Sequence, residues 1–244
     1  MNAVGPPVWV VDLAERFWAD AGEVPARFPR ELAVPAAIAA LITPVERPGL
    51  RVKSVVEYLT PKGVPIQFAE PDRPLRAALY CWKGAGYVFL DPGDPPAERR
   101  FSFAHELSHF LRDYAAPRRQ VERSLGPAAL DVLDGLRKPT TDERLYAVLR
   151  NRPLTPHCHF MSRDPAGRPK GEGEQRAEAD ADRLAFELLA PAERFRPGTD
   201  LSVIESRLVA EFGLPAAVAA EYANLLSPPP PPVGGLIARL TDSL

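Results

Sequence analysis

Two of the four histidines in this 244-residue chain stand four residues apart in the stretch HELSH, with a glutamate directly after the first. Apolar residues flank the stretch on both sides, which indicates a buried helix. Residues four apart project from one face of a helix, so His105 and His109 can offer imidazole nitrogens to the same ion. Glu106 is placed to act as a general base toward water without binding that ion. The stretch therefore predicts a helix with a metal site, because a buried polar trio without an ion would be costly.

A catalytic metal site needs a third protein ligand and an open position. The extended signature that ends in a third histidine fails, because Arg112 and Ala115 stand where glycine and histidine are required. The stretch EADADRLAFELLAP offers carboxylates instead, on a helical face whose alanines permit close approach. We expect Glu178 as the third ligand and Asp182 as the carboxylate that orients a ligand histidine. Spacing alone leaves open Glu174 as the ligand, or an ordinary amphipathic helix with solvated acids.

The other two histidines, His157 and His159, stand in the stretch HCHF. Alternate residues of a strand face the same side. Both are therefore candidates for stabilising a transition state or for adding a metal ligand, and ordinary loop or core histidines are the alternative. Cys158 lies between them and would point away, which disfavours a second metal site built from cysteine and histidine.

Composition and charge narrow the classes of function. Hydrophobic residues make up 45% of the chain and charged residues 25%, as in ordinary globular proteins. The net charge of −2 provides no basic field for nucleic acid. Residues 200–227 have the cadence of a helix-turn-helix motif, but their acidic excess would repel phosphate. We therefore expect no direct binding to nucleic acid.

Neither a membrane segment nor a secretory leader is predicted. No apolar run is long enough to span a bilayer, and the first residues lack the basic and apolar regions of a signal peptide. The two cysteines form no CxxC pair. We expect a cytoplasmic protein with reduced thiols, and the sequence does not indicate its oligomeric state.

Hydrophobic periodicity and turn residues predict the main elements. Two aromatic-rich runs around the stretch KGAG indicate a β-hairpin with strands at 75–82 and 87–91. The pattern indicates a strand or loop over 151–173. Helices are predicted over 8–21, from Asp94 through the HELSH stretch, and over 118–150, 174–191, 201–212 and 215–227.

Capping residues define where several of these helices begin. Asp94 is the predicted N-cap of the helix that contains HELSH. Thr140 with Glu143 and Ser202 with Glu205 have the spacing of capping boxes, in which two side chains satisfy the first backbone N–H groups reciprocally.

In four stretches the chain resembles the ImmA/IrrE family of zinc-dependent endopeptidases. These are RRFSFAHELSHF, EADADRLAFELLAP, the hairpin LYCWKGAGYVFLD and the region VIESRLVAEFGLPAAVAAEYANLL. The resemblance spans about residues 8–115 and 174–227. It implies an α+β fold that is predominantly helical, with a thermolysin-like, gluzincin-type core and a small antiparallel sheet before the HExxH helix.

The resemblance also implies an activity. Zinc would be held by His105, His109 and Glu178, with Glu106 as general base, and the protein would act as an endopeptidase. Family members typically cleave a helix-turn-helix repressor in stress or mobile-element regulation, so such a protein partner is expected. Two imidazoles and a carboxylate also accept Mn²⁺. The hairpin, with 75–82 as the candidate strand, is expected to align an extended substrate by adding it to the sheet.

A regulatory, non-proteolytic module that uses its metal site to bind a partner is the alternative function. The intact Glu106 favours the enzyme, because a binding scaffold needs no general base. The expected organisation is a metallopeptidase domain over 1–227 and a polyproline linker with a short amphipathic tail over 228–244. That domain would include an insertion at about 116–172 and a C-terminal helical pair at 201–227.

Overall fold

A computed structural model describes residues 5–64, 66, 71–149, 157–163 and 171–227. In chain order its strands are β1 (Ile42–Glu46), β2 (Leu75–Trp82), β3 (Ala85–Leu90) and β4 (Cys158–Ser162). The α-helices in the described ranges are α1 (Val8–Ala21), α2 (Ala33–Ala40), α3 (Val52–Leu59), α4 (Pro96–His109), α5 (Ala116–Leu125), α6 (Leu130–Leu133), α7 (Thr141–Leu149), α8 (Glu172–Leu189), α9 (Leu201–Ala210) and α10 (Ala216–Leu226).

The predicted α+β class with a helical majority is confirmed, but the sheet is mixed rather than antiparallel. Its strand order is β1-β3-β2-β4, with β1 parallel to β3 and the other neighbours antiparallel. The hairpin of β2 and β3 lies at its centre, as the aromatic runs around KGAG predict. Because β3 and β4 occupy both edges of β2, the prediction that β2 adds an extended substrate is wrong.

The sheet separates two apolar cores. Alternate residues of β2 face opposite sides, so Leu79 packs with α1, α4 and α8, whereas Tyr80 packs with α3. A register shift between Leu75 and Ala77 interrupts the pairing of β2 with β4. The larger core lies on the α4 side and contains the residues of the predicted metal site.

Helix α4 is the central helix of the larger core. All nine residues from Phe101 to His109 are buried. Helix α8 packs along it through Ala181 and Ala185, which have no exposed surface. These small side chains let the two helices approach closely, as the sequence of α8 predicts.

Beyond His109, the chain continues as a π-helical segment, Phe110–Ala115, before α5 begins. The region predicted to be helical, 118–150, is divided among three α-helices in its described part. Gly126 and Gly135, both with positive φ, separate α5, α6 and α7. The described residues contain no helix that combines the length and the apolar character needed to cross a bilayer.

One of the three capping predictions holds. Thr140 N donates to Glu143 Oε2 at 2.7 Å, and Glu143 N donates to Thr140 Oγ1 at 3.3 Å, which is a capping box. The prediction of a capping box from Ser202 and Glu205 is wrong, because Asp200 caps α9 by accepting from Ser202 N at 2.8 Å.

Asp94 is not an N-cap. Helix α4 begins at Pro96 after Pro95, without a side-chain cap. The Asp94 carboxylate instead accepts a hydrogen bond from Arg163 at 2.6 Å, just beyond β4. A proline at the first helical position leaves one fewer N–H to satisfy. The predicted linker and tail over 228–244 lie outside the described residues.

Candidate metal centre

Helices α4 and α8 bring three predicted ligand residues together. His105 Nε2 lies 3.1 Å from His109 Nε2. Glu178 reaches both rings from α8, with Oε2 at 3.3 Å from His105 Nε2 and Oε1 at 3.4 Å from His109 Nε2. Both imidazoles are buried, whereas Glu178 is partly exposed. Glu174, the other candidate ligand, lies one helical turn earlier, is exposed and is not among the converging donors.

Each of the two α4 histidines has a carboxylate next to its Nδ1 atom. His105 Nδ1 donates to Asp182 at 2.8 Å, and His109 Nδ1 donates to Asp113 at 2.8 Å. Asp182 is the carboxylate that the sequence predicts. Asp113 is absent from the sequence-based candidates, although its place four residues after His109 is a recognisable signal for such a pair. A carboxylate on Nδ1 fixes the tautomer that leaves a lone pair on Nε2.

This tautomer makes the short distance between the two Nε2 atoms informative. Two lone pairs that face each other across 3.1 Å repel unless a proton or a metal cation lies between them. Two nitrogens bound at 2.0–2.1 Å to a tetrahedral ion stand about 3.3 Å apart. The separations among His105, His109 and Glu178 are close to that value. The donors present therefore fit a divalent metal ion.

A fourth donor, His159 on β4, completes the cluster. Its Nε2 lies 3.0 Å from Glu178 Oε1, and its Nδ1 lies 2.9 Å from Glu106 Oε2. Its ring stacks on that of His109, with centroids 4.0 Å apart. One donor atom from each of His105, His109, His159 and Glu178 lies within 4.8 Å of the others.

Glu106 lies under this cluster with no exposed surface. One carboxylate oxygen contacts His159, and the other, Oε1, is buried without a hydrogen-bond partner among the described residues. An unpaired buried carboxylate oxygen is costly. It marks a place where a proton or a water molecule would be stabilised.

The charges of the cluster shift the pKa values of its histidines. Burial lowers the pKa of His105, but hydrogen bonds to Asp182 and Glu178 outweigh it and raise the pKa to about 9. Burial likewise opposes protonation of His159, but the charge of Glu106 and hydrogen bonds to Glu106 and Glu178 raise its pKa to about 10. Burial raises the pKa of Glu178, yet hydrogen bonds from the three imidazoles bring it well below its usual range. In the metal-free cluster the protonated forms of His105 and His159 and the ionised form of Glu178 are thus favoured.

His157 occupies a different position from His159. It precedes β4, its backbone oxygen accepts from Cys81 N, and its side chain lies near Asp113 and His109. Its buried Nε2 has no hydrogen-bond partner among the described residues. Burial lowers the pKa of His157 to about 4, so the ring is neutral.

Among the described residues, the donors that converge form two groups. One consists of His105, His109, His159 and Glu178, and the other of His109, Asp113 and His157. Cys158 belongs to neither of them. It packs with Tyr80 in the smaller core, on the opposite face of the sheet. The strand alternation that disfavours a cysteine–histidine metal site thus agrees with the observed packing.

Arg112, in the π-helical segment that follows α4, links this segment to α8 at the edge of the cluster. Its guanidinium donates to Asp113, the partner of His109, and at 2.7 Å to Asp180 of α8. Since Asp180 lies between Glu178 and Asp182 in sequence, this bridge restrains the part of α8 that faces the histidines.

Comparison with known protein families gives one match, and a search among curated proteins finds no relative. Residues 62–128 match the model of the Peptidase_M78 family, described as the IrrE N-terminal-like domain. The matched segment contains β2, β3, α4 and the whole HELSH stretch, whereas Glu178 and His159 lie beyond it. This segment of the chain, with the HELSH stretch, is thus similar to the IrrE N-terminal-like domain of the Peptidase_M78 family.

Proposed function

We propose that this protein is a zinc-dependent endopeptidase whose ion is held by His105, His109 and Glu178. The observation that carries the proposal is the arrangement of the two α4 imidazoles. Each has a carboxylate on Nδ1 and directs Nε2 toward the same point, where Glu178 supplies a third donor. Two imidazoles and one carboxylate are the ligand set of thermolysin-type catalytic zinc.

A bound divalent ion would supply Lewis acidity, which polarises a peptide carbonyl and acidifies water. The chain's own contribution to proton transfer is Glu106. Its carboxylate accepts a proton from the attacking water and then passes that proton to the leaving amine nitrogen. The unpartnered Oε1 atom is the oxygen available for this transfer. The apolar surroundings of Glu106 strengthen its interaction with charge that develops nearby.

Asp182 and Asp113 act on the ligands rather than on the substrate. By accepting from Nδ1 they hold each ring in one orientation and increase the basicity of its Nε2 atom. Arg112 in turn orients Asp113 and holds α8 at its distance from α4. These contacts preorganise the three donors.

We infer a helix-turn-helix repressor as the substrate, and regulation of stress or mobile-element genes as the role. The support is the family resemblance, which is an argument by analogy, since fold and family do not by themselves determine a substrate. The acidic excess over 200–227 is consistent with a protein substrate rather than with DNA.

One observation favours the alternative, a non-proteolytic module that binds a partner. His159 adds a fourth protein donor, and metal sites with four protein donors are usually structural. Under this alternative Glu106 would only orient His159, and its conversion to glutamine would not affect function.

The test first looks for a helix-turn-helix protein encoded by a neighbouring gene, and incubates such a protein with the zinc-loaded wild type and with Glu106→Gln. We expect cleavage by the wild type that a chelator abolishes, and at least a 100-fold loss in the variant. Zinc content, measured by mass spectrometry of the native protein, should be equal in both. Equal cleavage by the two proteins would refute the role of Glu106. Binding without cleavage by either would support the alternative.

A further inference from the structure

We propose that His159 is a fourth protein ligand of the metal, so that the resting site is closed and a substrate must displace this imidazole before cleavage. This inference rests on the proposed function and concerns the same centre. A closed site would make the enzyme latent, and the residue that closes it would lie on β4.

The first support is a pattern that all three clustered histidines share. In each, Nδ1 lies against a carboxylate and Nε2 points to the centre. The carboxylates are Asp182 for His105, Asp113 for His109 and Glu106 for His159, at 2.8, 2.8 and 2.9 Å. A carboxylate on the remote ring nitrogen is typical of ligating histidines. His159 therefore has the arrangement of a ligand.

The second support comes from what His159 Nε2 faces. The Nδ1 atom of His159 lies against Glu106, and the atom opposite Nε2 at 3.0 Å is a carboxylate oxygen of Glu178. A ring nitrogen at this distance from a carboxylate oxygen must carry either a proton or a metal ion. A metal ion shared with Glu178, His105 and His109 would take the place of the proton on Nε2.

The third support is that His159 also engages the general base. The single hydrogen bond of the Glu106 carboxylate among the described residues is to this ring, and Glu106 has no exposed surface. A ring bound in this way occupies both the fourth coordination position and one oxygen of the base. A tetrahedral site with four protein donors leaves no position for water. Release of His159 would free the fourth coordination position and the Glu106 oxygen at once.

His159 is also the donor best placed to leave. His105 and His109 stand on one buried helix, whereas His159 comes from the terminal strand of the described sheet and its side chain is 18% exposed. Its ring stacks on that of His109, with centroids 4.0 Å apart, so non-covalent contacts and one strand hold it in place. A substrate would thus displace His159 more readily than the two α4 histidines.

The experiment counts imidazole ligands in the full chain loaded with zinc, by X-ray absorption spectroscopy, and follows the visible spectrum of the cobalt-substituted protein. We expect three imidazoles and one carboxylate in the wild type and two imidazoles in His159→Gln. The cobalt spectrum of the variant should lose intensity as water enters. Its zinc affinity should fall by about tenfold or more. The matched control His157→Gln, two residues earlier, should keep three imidazoles.

Cleavage of a pool of internally quenched peptides tests latency separately. Faster cleavage by His159→Gln than by the wild type is expected, because its fourth position is open. Two imidazoles in the wild type would overturn the assignment of His159 as a ligand. Three imidazoles together with slower cleavage by the variant would overturn latency. If no variant cleaves any peptide or the repressor, the proposed peptidase function fails, while the imidazole count still decides whether His159 binds the metal.

Discussion

His109 and Asp113 stand one helical turn apart, and the Nδ1 atom of the histidine donates to the carboxylate of the aspartate at 2.8 Å. Asp113 belongs to the π-helical segment, and its second oxygen accepts from Arg112. Burial raises the pKa of Asp113, but the hydrogen bond from His109 and the charge of Arg112 outweigh it, and the net pKa is lowered. The aspartate is therefore ionised and able to fix the His109 tautomer.

Replacing this carboxylate should weaken metal binding. We expect Asp113→Ala to lower zinc affinity by about 10- to 100-fold, because His109 loses the partner that orients its ring. Competition with a chromophoric chelator measures the affinity. Asp142→Ala, at an exposed position of α7, is the control and should bind zinc as the wild type does. Unchanged affinity in Asp113→Ala would mean that the helix alone orients His109.

The metal-free protein should lose stability as the pH rises above neutrality. Folding raises the pKa of His105 to about 9 and of His159 to about 10. The stabilisation that these protonated rings provide is fully present below their unfolded pKa of about 6.5, and it is lost as the pH passes through the two folded values.

Urea denaturation in the presence of a chelator, at several pH values between about 6.5 and 10, measures this loss. The variant His159→Gln should show a shallower decline, because it lacks the group with the higher pKa. Zinc binding should strengthen over the same range, since the metal competes with protons for the ligand nitrogens. A free energy of unfolding that does not change with pH would contradict the charge arrangement described for the cluster.

Gly86 in β3 should not tolerate a side chain. A Cβ atom at this position would lie 2.5 Å from Ile42 Cδ1 of β1 and 3.0 Å from the ring of Phe110, which directly follows His109. We expect Gly86→Ala to lower the free energy of unfolding by about 1–3 kcal/mol through overpacking. Thermal and urea denaturation measure the change. In the control Gly173→Ala, whose Cβ meets no atom within 4 Å in the first turn of α8, stability should stay equal or rise slightly.

Asp134 should be needed to hold α5 and α6 against the hairpin. Its carboxylate accepts from both terminal nitrogens of Arg118, at 2.7 and 2.9 Å, and from Lys83 N at 3.0 Å. We expect Asp134→Ala to destabilise the protein by about 2–3 kcal/mol, because charged hydrogen bonds are lost and Arg118 is left partly buried. Denaturation measures the effect. The exposed Asp131→Ala should change stability by less than about 0.5 kcal/mol.

Local sequence signals predict the elements whose chemistry is strong and contiguous. Helix α1 spans the predicted residues 8–21, and the hairpin strands lie where the aromatic runs place them. The capping box of Thr140 and Glu143 also forms. In each case the side chains that determine the structure are close in sequence, so propensity and periodicity are sufficient.

The features that the sequence does not predict depend on distant partners. Strand β1 is short, contains Pro44 and becomes a strand by pairing in parallel with β3, which lies about 40 residues later. Asp94 does not cap α4, because its carboxylate binds Arg163, which follows β4. In the candidate site, the geometry of His159 depends on how β4 joins the sheet. No local sequence pattern indicates that these distant segments pair with one another.

The separation of the donors along the chain has a consequence for its synthesis. His105 and His109 lie within the matched segment, whereas His159 and Glu178 come later in the sequence. A growing chain on the ribosome therefore exposes two imidazoles well before the remaining donors have been translated. Two nitrogens alone bind a divalent ion weakly, so we expect the centre to take up its ion only after translation has passed α8.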